Sequence, residues 1–296
     1  MLPIAGKQYC GVINHFFMVT KFLKNTVFFI CMGLLFSYGN RPIQNTVAGK
    51  RNAGGIFDLR VLSYNIHHAN PPSRPGVIDL DAIAGVIKKQ QPHLVALQEV
   101  DVFTERSGKS LHQAEKLAEM TGMTAYFAKA IDYGGGEYGV AILSKFPMEA
   151  MKNTSLPTAK ETNGEPRTLA TVVVTLPQGK KILFACTHLD AQRQDTNRLL
   201  QINSIVDILK AEKLPVIIAG DFNSVPGTTI INTLDSYFTR TCITSCGFTI
   251  PQINPTKTID FIAYKPSDAF NVIEHHIPDE TYVSDHLPVA SVLRIK

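Results

Sequence analysis

Pro215-Val216-Ile217-Ile218-Ala219-Gly220-Asp221-Phe222-Asn223 is the stretch on which the reading of this chain turns. A short run rich in β-branched residues, bounded by Pro and Gly, reads as a buried strand. Asp221 and Asn223 then stand just past its end. Alone, the pair is also an ordinary turn, because Asp and Asn side chains hydrogen-bond nearby backbone and tolerate left-handed geometry. Ser284-Asp285-His286 stands in the same relation to the run Val289–Ile295, this time before it.

Working outward, the same arrangement recurs along the body of the chain. β-rich runs cover 57–65, 94–97, 139–143, 170–176, 181–187, 216–219, 258–264 and 289–295. Helical periodicity covers 79–90, with apolar Leu80, Ile83, Val86 and Ile87, and again 110–121 and 195–209. Pro92 and Pro215 stop two of these helices before the next strand. Several consecutive strands have no helix between them. The pattern predicts an α/β protein in which mixed sheets pack as a sandwich faced by helices, rather than a pure alternating βαβ fold. Gly134-Gly135-Gly136 and Pro226-Gly227 mark loops within a single domain over 52–296.

Residues 1–51 form a separate extension. They carry Lys7, Lys21, Lys24, Arg41, Lys50 and Arg51 and no acidic residue, which leaves 23 Lys and Arg against 25 Asp and Glu in the rest. The basic balance of the whole chain, +4, therefore belongs to the extension and does not argue for nucleic-acid binding by the body. Lys21 and Lys24 precede the apolar core 26–36, and Ser37-Tyr38-Gly39 places small residues at a cut after Gly39. That order is the layout of a secretory signal peptide, so export is expected, with an uncleaved membrane anchor as the alternative. The run is short for a membrane span. Met18 offers a second start directly before this basic region.

Three cysteines remain in the body, too few for a disulfide framework in about 250 residues. Cys186 lies in a buried run and reads as an inert core thiol. Cys242 and Cys246 are spaced to bridge in an oxidising compartment, or else to sit as two small half-buried residues.

The chemistry gathers at the strand ends. Asn65-Ile66-His67-His68 follows the first run, Gln98-Glu99-Val100-Asp101 the second, and Thr187-His188-Leu189-Asp190 the run through Cys186. Asp260 lies within Ile259-Asp260-Phe261, and Asp285-His286 near the C-terminus. Carboxylates, amides and imidazoles on strand rims are the parts of a metal-assisted phosphoester hydrolase. Adjacent residues on a strand point to opposite faces, so His67-His68 and His275-His276 can each bring both rings to one place only through a turn.

The ordered set SYNIHHA (63–69), LQEVD (97–101), THLD (187–190), GDFNSVPGT (220–228), IDFIAY (259–264) and SDHLPV (284–289) resembles the endonuclease/exonuclease/phosphatase superfamily, over roughly Phe57 to Lys296. The resemblance implies a DNase I-like four-layer α/β sandwich: two mixed β-sheets face to face, with helices outside. It also implies a divalent-cation-dependent phosphoesterase. By that resemblance Glu99 is the main metal carboxylate, with Asn65 beside it and Asp285 as a further acidic contact. Such hard oxygen donors suit Mg²⁺ or Mn²⁺, with Ca²⁺ as a third candidate. His286 resembles the catalytic imidazole, acting as base or as phosphate clamp, and Asp260 the carboxylate that fixes its tautomer. Asp221 and Asn223 resemble the pair that positions water and holds a phosphoryl oxygen; His188 resembles a second imidazole at phosphorus. Many members carry Asn where Val140 stands.

Arg106, Arg167, Tyr138 and His67 complete the expected set as contacts to the phosphoester substrate, since guanidinium matches phosphate bidentately. These features look like a bacterial secreted branch of the superfamily. The near-neutral body favours a small or lipid-linked phosphoester over DNA or RNA, because duplex binding depends on neutralising many phosphates. A non-catalytic phosphate-binding module is the third reading. Nothing in the sequence calls for a protein partner, and a monomer is expected.

Overall fold

The computed structural model describes residues 57–296; the extension, its apolar core and the expected cut lie outside the described residues. Each of two six-stranded sheets is assembled around one parallel pair. In the first, β1 (Asp58–Asn65) crosses through helix α1 (Leu80–Gln90) to β2 (Leu94–Val102), which lies parallel beside it. In the second, β7 (Lys181–His188) crosses through a longer helix, Thr196–Lys210, to the parallel strand Val216–Asp221. All other pairings are antiparallel.

The remaining elements in chain order are α2 (Gln113–Thr121), β3 (Thr124–Tyr133), β4 (Gly136–Ser144), β5 (Met148–Ser155) and β6 (Thr168–Thr175). The crossover of the second sheet is α3 and β8, followed by α4 (Thr229–Asp235), β9 (Thr239–Arg240), β10 (Asp260–Lys265), β11 (Phe270–His276) and β12 (Val289–Ile295). The sheet orders are β11-β12-β1-β2-β4-β3 and β5-β6-β7-β8-β10-β9.

Alternation along the strands makes the four layers. Leu59 and Val61 of β1, Leu94 and Ala96 of β2, and Val140 and Ile142 of β4 meet Val172, Phe184, Cys186, Ile217 and Ala219 of the second sheet in one buried core. The opposite face of the first sheet, with Leu62, Tyr64, Val95 and Leu97, packs on Ile83 and Ile87 of α1 and Leu117 of α2. The outer face of the second, with Ala185, Ile218 and Phe261, packs on Ile202 and Ile205 of α3 and Ile231 of α4. Complete burial of Phe184 between the sheets stabilises the sandwich by roughly 2–3 kcal/mol. The expected architecture is the one observed.

Element boundaries follow local chemistry. Asp79 caps α1 by accepting the Ala82 N–H, and Gln91, left-handed at φ 48°, ends it before Pro92. The helix read over 110–121 starts only at Gln113, because the His112 ring accepts the Glu115 N–H as its cap. β2 continues past Leu97 through a one-residue bulge that leaves Glu99 at φ 57°. No described helix is long and apolar enough to cross a membrane.

Candidate active site

The inter-sheet core runs out into polar residues at one end, and the period of two explains which ones. Val61 faces the core, so Asn65, four residues on, closes the same face of β1; Cys186 is followed by His188 on β7, Ala219 by Asp221 on β8, and Ile262 is preceded by Asp260 on β10. All four are buried although polar. Gly220 permits this closeness: a Cβ there would stand 2.1 Å from the Thr187 carbonyl oxygen of β7. The bulge in β2 aims Glu99 at the same place.

Asn65 joins the two sheets. Its amide nitrogen donates to Glu99 at 2.9 Å and to Asp221 at 3.1 Å, while its oxygen accepts the His67 N–H at 3.1 Å. The loop before β12 is pinned to the same strand end. The Ser284 hydroxyl donates to the Asn65 carbonyl at 2.7 Å and accepts the His286 N–H at 3.1 Å. That places His286 between two carboxylates: its Nδ1 donates to Asp260 at 2.9 Å, and its Nε2 lies 3.7 Å from Asp221.

These buried charges set one another. Burial, then repulsion from Asp260, pushes the Asp221 carboxyl up to about 7. Burial would pull the His286 ring down, but the Asp260 carboxylate bonded to it, helped by Asp221 and Asp285, outweighs burial and holds it up to about 10. Burial thus favours the neutral form of Asp221, while the neighbouring carboxylates favour the charged form of His286.

His188 is of the opposite kind. Burial, then the charges of Arg167 and His286, drives its pKa well below the ordinary value, so the ring is neutral. Arg167 only donates, and its Nη1 stands 3.0 Å from Nδ1, while Nε2 lies 3.4 Å from Asp221. Asn223, left-handed at φ 48°, holds the loop by donating to the Leu189 carbonyl at 3.0 Å, and its backbone N–H donates to Asp221 at 2.8 Å. Its amide also lies 3.1 Å from His188 Nε2.

The expected substrate contacts are distributed differently. Arg167 is buried beneath His188 and paired with Glu165 at 3.1 Å. Tyr138, Val140, Arg167 and His188 line a narrow gap between the sheets that is too tight for a water molecule. Arg106 is occupied: it makes two bonds to the buried Asp101 carboxylate, at 2.7 and 2.9 Å, and lies 4.3 Å over the Tyr133 ring. Asp285 has its carboxylate 3.5 Å from the Ser284 hydroxyl and is not among the donors that converge on Glu99.

What does converge there includes the first histidine doublet, brought together by the turn that such a meeting requires. His67–Ala69 is a single turn of 3₁₀ helix with φ of 45°, 43° and 60°, and it sets the two rings edge to face with centroids 4.6 Å apart. Donor atoms of His67, His68 and Glu99 lie within 4.8 Å of one another, as do those of Asp221, Asp260 and His286. The latter is already bound into a hydrogen-bonded proton network, so Glu99 is the better fit to a cation. His275-His276 remains on a strand, and its rings turn to separate partners, Thr241 and Gln90.

Three supporting residues escaped the sequence reading. Gln113 accepts the Asp101 N–H and Gln201 the Asp190 N–H, each at 2.9 Å, tying the rim loops to α2 and α3. Gln98 reaches across the core to Cys186 Sγ at 3.4 Å. A polar residue on an otherwise apolar helix stripe was the available signal for the first two. Cys242 and Cys246 are bridged.

A model of the endonuclease/exonuclease/phosphatase family matches residues 62–286. The chain is 26% identical over 257 residues to the uncharacterized protein YbhP of Escherichia coli strain K12, covering 81% of this chain and 97% of that one. Among solved structures it resembles an endonuclease/exonuclease/phosphatase from Beutenbergia cavernae DSM 12333, with TM-score 0.65, 24% identity, and coverage of 80% of this chain and 72% of that one. It also resembles the mannosyl-6-phosphatase of Bacteroides thetaiotaomicron VPI-5482, with TM-score 0.65, 21% identity, and coverage of 79% and 99%.

Proposed function

The chain belongs to the endonuclease/exonuclease/phosphatase family, whose members are hydrolytic phosphoesterases that typically use divalent metals, and we propose that it hydrolyses a small or lipid-linked phosphoester by in-line attack of water. The observation that carries this reading is the buried Asp260–His286–Asp221 network, facing Asn65 and Glu99 across the sheet gap.

Glu99 would hold the cation, with Asn65 as its neighbour. Bound there, Mg²⁺ or Mn²⁺ would supply Lewis-acid stabilisation of charge on the phosphoryl oxygens and the leaving group. The chain's own residues do the rest. Asp221, whose carboxyl burial lifts above the ordinary carboxylate range, accepts a proton from water and aligns its lone pair on phosphorus. His286, held protonated by Asp260, donates from Nε2 to a phosphoryl oxygen. The neutral His188 and the Asn223 amide beside it would face the same developing charge.

Two features support a substrate that is not a nucleic acid. The described body has no basic excess, and a groove of about 600 Å³ is lined by Val225 and Pro226, which follow Asn223 in the chain, and by Thr258, which precedes Asp260. Exposed Ile243 and Phe248 line it, which suits an apolar substituent on the phosphoester. Export through a cleaved signal in the N-terminal extension is part of the same proposal; an intact Met1 or Met18 on secreted protein would contradict the cleavage.

The deciding experiment is a panel of a bis-aryl phosphodiester, phospholipid headgroup esters, sugar phosphates and plasmid DNA with Mg²⁺ or Mn²⁺ and with chelator. Cation-dependent turnover of the small or lipid esters is expected; efficient plasmid cleavage at physiological salt would replace this reading with a nuclease.

A further inference from the structure

The all-oxygen donor set expected at Glu99 is not what the strand ends assemble. Asn65 turns its amide nitrogen, not its oxygen, toward Glu99, and Asp285 lies outside the converging group. Two imidazoles take their place. We infer that His67, His68 and Glu99 form a mixed nitrogen–oxygen site for a borderline transition ion such as Co²⁺ or Zn²⁺, in preference to Mg²⁺. The inference rests on the proposed role of Glu99 as the cation's carboxylate.

The first support is geometric. Donor atoms of the three side chains already lie within 4.8 Å of one another, a few tenths of an ångström beyond the roughly 4.4 Å that two ligands held at about 2.0–2.2 Å from one ion can span. Two His and one carboxylate on one side leave positions open for water and a phosphoryl oxygen. Magnesium dehydrates reluctantly and prefers oxygen, whereas imidazole suits the later divalent ions.

The second is the protonation pattern. His67 Nδ1 stands 2.8 Å from the Asn70 carbonyl, which can only accept, so Nδ1 carries the proton and the Nε2 lone pair is free. A ring fixed through its second nitrogen by a carbonyl is the usual support of a metal-bound histidine. His68 Nδ1 is buried with no hydrogen-bond partner. A buried ring nitrogen without a partner is costly unless something else satisfies it.

The third is the backbone. Three successive non-glycine residues in the left-handed region, and Glu99 itself at φ 57°, cost on the order of 1 kcal/mol each. The turn is locked all the same: the Ala69 N–H donates to Ile66, the Asn70 N–H to His67, and the Gln113 side chain to the His68 carbonyl. The rings are thus held ready rather than gathered by an ion. Arg106 bears on His68 electrostatically, but its charge is matched by the two bonds to Asp101.

The test uses chelator-stripped full-length protein titrated with Co²⁺ and followed by visible absorption, with Mg²⁺ titrated by calorimetry. Saturable Co²⁺ bands are expected, with affinity at least tenfold above that for Mg²⁺. His67→Ala and His68→Ala should each weaken Co²⁺ at least tenfold and alter the bands. Circular dichroism checks folding, and His67→Gln and His68→Gln replace any alanine variant that fails to fold. An unchanged Co²⁺ spectrum and affinity in the double variant would overturn the site, even if the protein hydrolyses phosphoesters. Histidine-dependent Co²⁺ binding in a protein silent on every phosphoester would uphold the site and overturn the proposed function instead.

Discussion

The two sheets share a plan and differ in what they do with it. Each centres on a parallel pair joined by a helix, and each ends that pair in polar residues at the same edge of the common core. On the β7/β8/β10 side, His188, Asp221 and Asp260 are 5% exposed or less and their charges are set by one another. On the β1/β2 side, His67, His68 and Glu99 are only half-buried and meet through a bulge and a left-handed turn. Burial concentrates electrostatic work, so one rim is suited to moving protons and stabilising phosphorus. The more open rim is suited to exchanging an ion and its water. His286 is the bridge, carried on the first sheet's strand β12 loop and bonded to the second sheet's Asp260.

The largest effect should come from breaking that bridge. His286→Ala is expected to lower turnover of a bis-aryl phosphodiester roughly a thousandfold or more at saturating cation, since it removes a preorganised donor from a water-poor site. A loss under tenfold in steady-state kinetics would place the chemistry elsewhere.

Next in size is the core that both rims share. Phe184→Ala should cost about 3–5 kcal/mol in urea unfolding, because the cavity opens between two sheets that cannot both relax. Loss of less than 1 kcal/mol would mean that the sheets do not pack as described.

Arg106→Lys sharpens the contrast from the first sheet's side. It removes the two-pronged bond to buried Asp101 and the stack on Tyr133, and should cost about 1.5–3 kcal/mol. If KM rises sharply while stability is unchanged, Arg106 contacts substrate instead.

The smallest expected effect is a pH response at the opposite end of β1. Burial, then the charges of Arg60 and Lys145, holds His93 down to about 4, and its Nδ1 accepts the Arg60 N–H at 3.0 Å. The unfolded chain binds this proton more readily, so the contribution is complete above about 6.5 and is lost as pH falls toward 4. Urea midpoints at pH 7 and pH 5 should differ less in His93→Gln than in the parent protein.

How much of this was legible in the sequence follows the same division between inside and edge. The eight strands that read plainly as β-rich runs are the eight interior strands of the two sheets. The four that did not, β3, β5, β9 and β11, are the four edges. An edge strand is paired on one side only and carries charges such as Lys129, Asp132, Glu149, Lys152 and Glu274, which blur the alternation that buried strands display. Helix α4, seven residues long, is too short for a period to show.

At the site, residues that continue a strand's inward face were legible because position alone aims them: Asn65, His188, Asp221 and Asp260. The approach of His67 and His68 to Glu99 was not, since it depends on backbone angles that neither histidine nor glutamate announces. Arg106 read as a free phosphate contact because its partner Asp101, five residues earlier, was counted only as part of a motif.

The division of labour between the rims is tested most directly by cation titrations of phosphodiester turnover in Glu99→Gln and Asp260→Asn beside the parent protein. Glu99→Gln should raise the cation concentration for half-maximal turnover at least tenfold. Asp260→Asn should lower kcat roughly a hundredfold or more, as an imidazolium loses its support, and leave the half-maximal cation concentration in place. Equal shifts of that concentration in both variants, or none in either, would contradict an ion held by one sheet and phosphorus chemistry by the other.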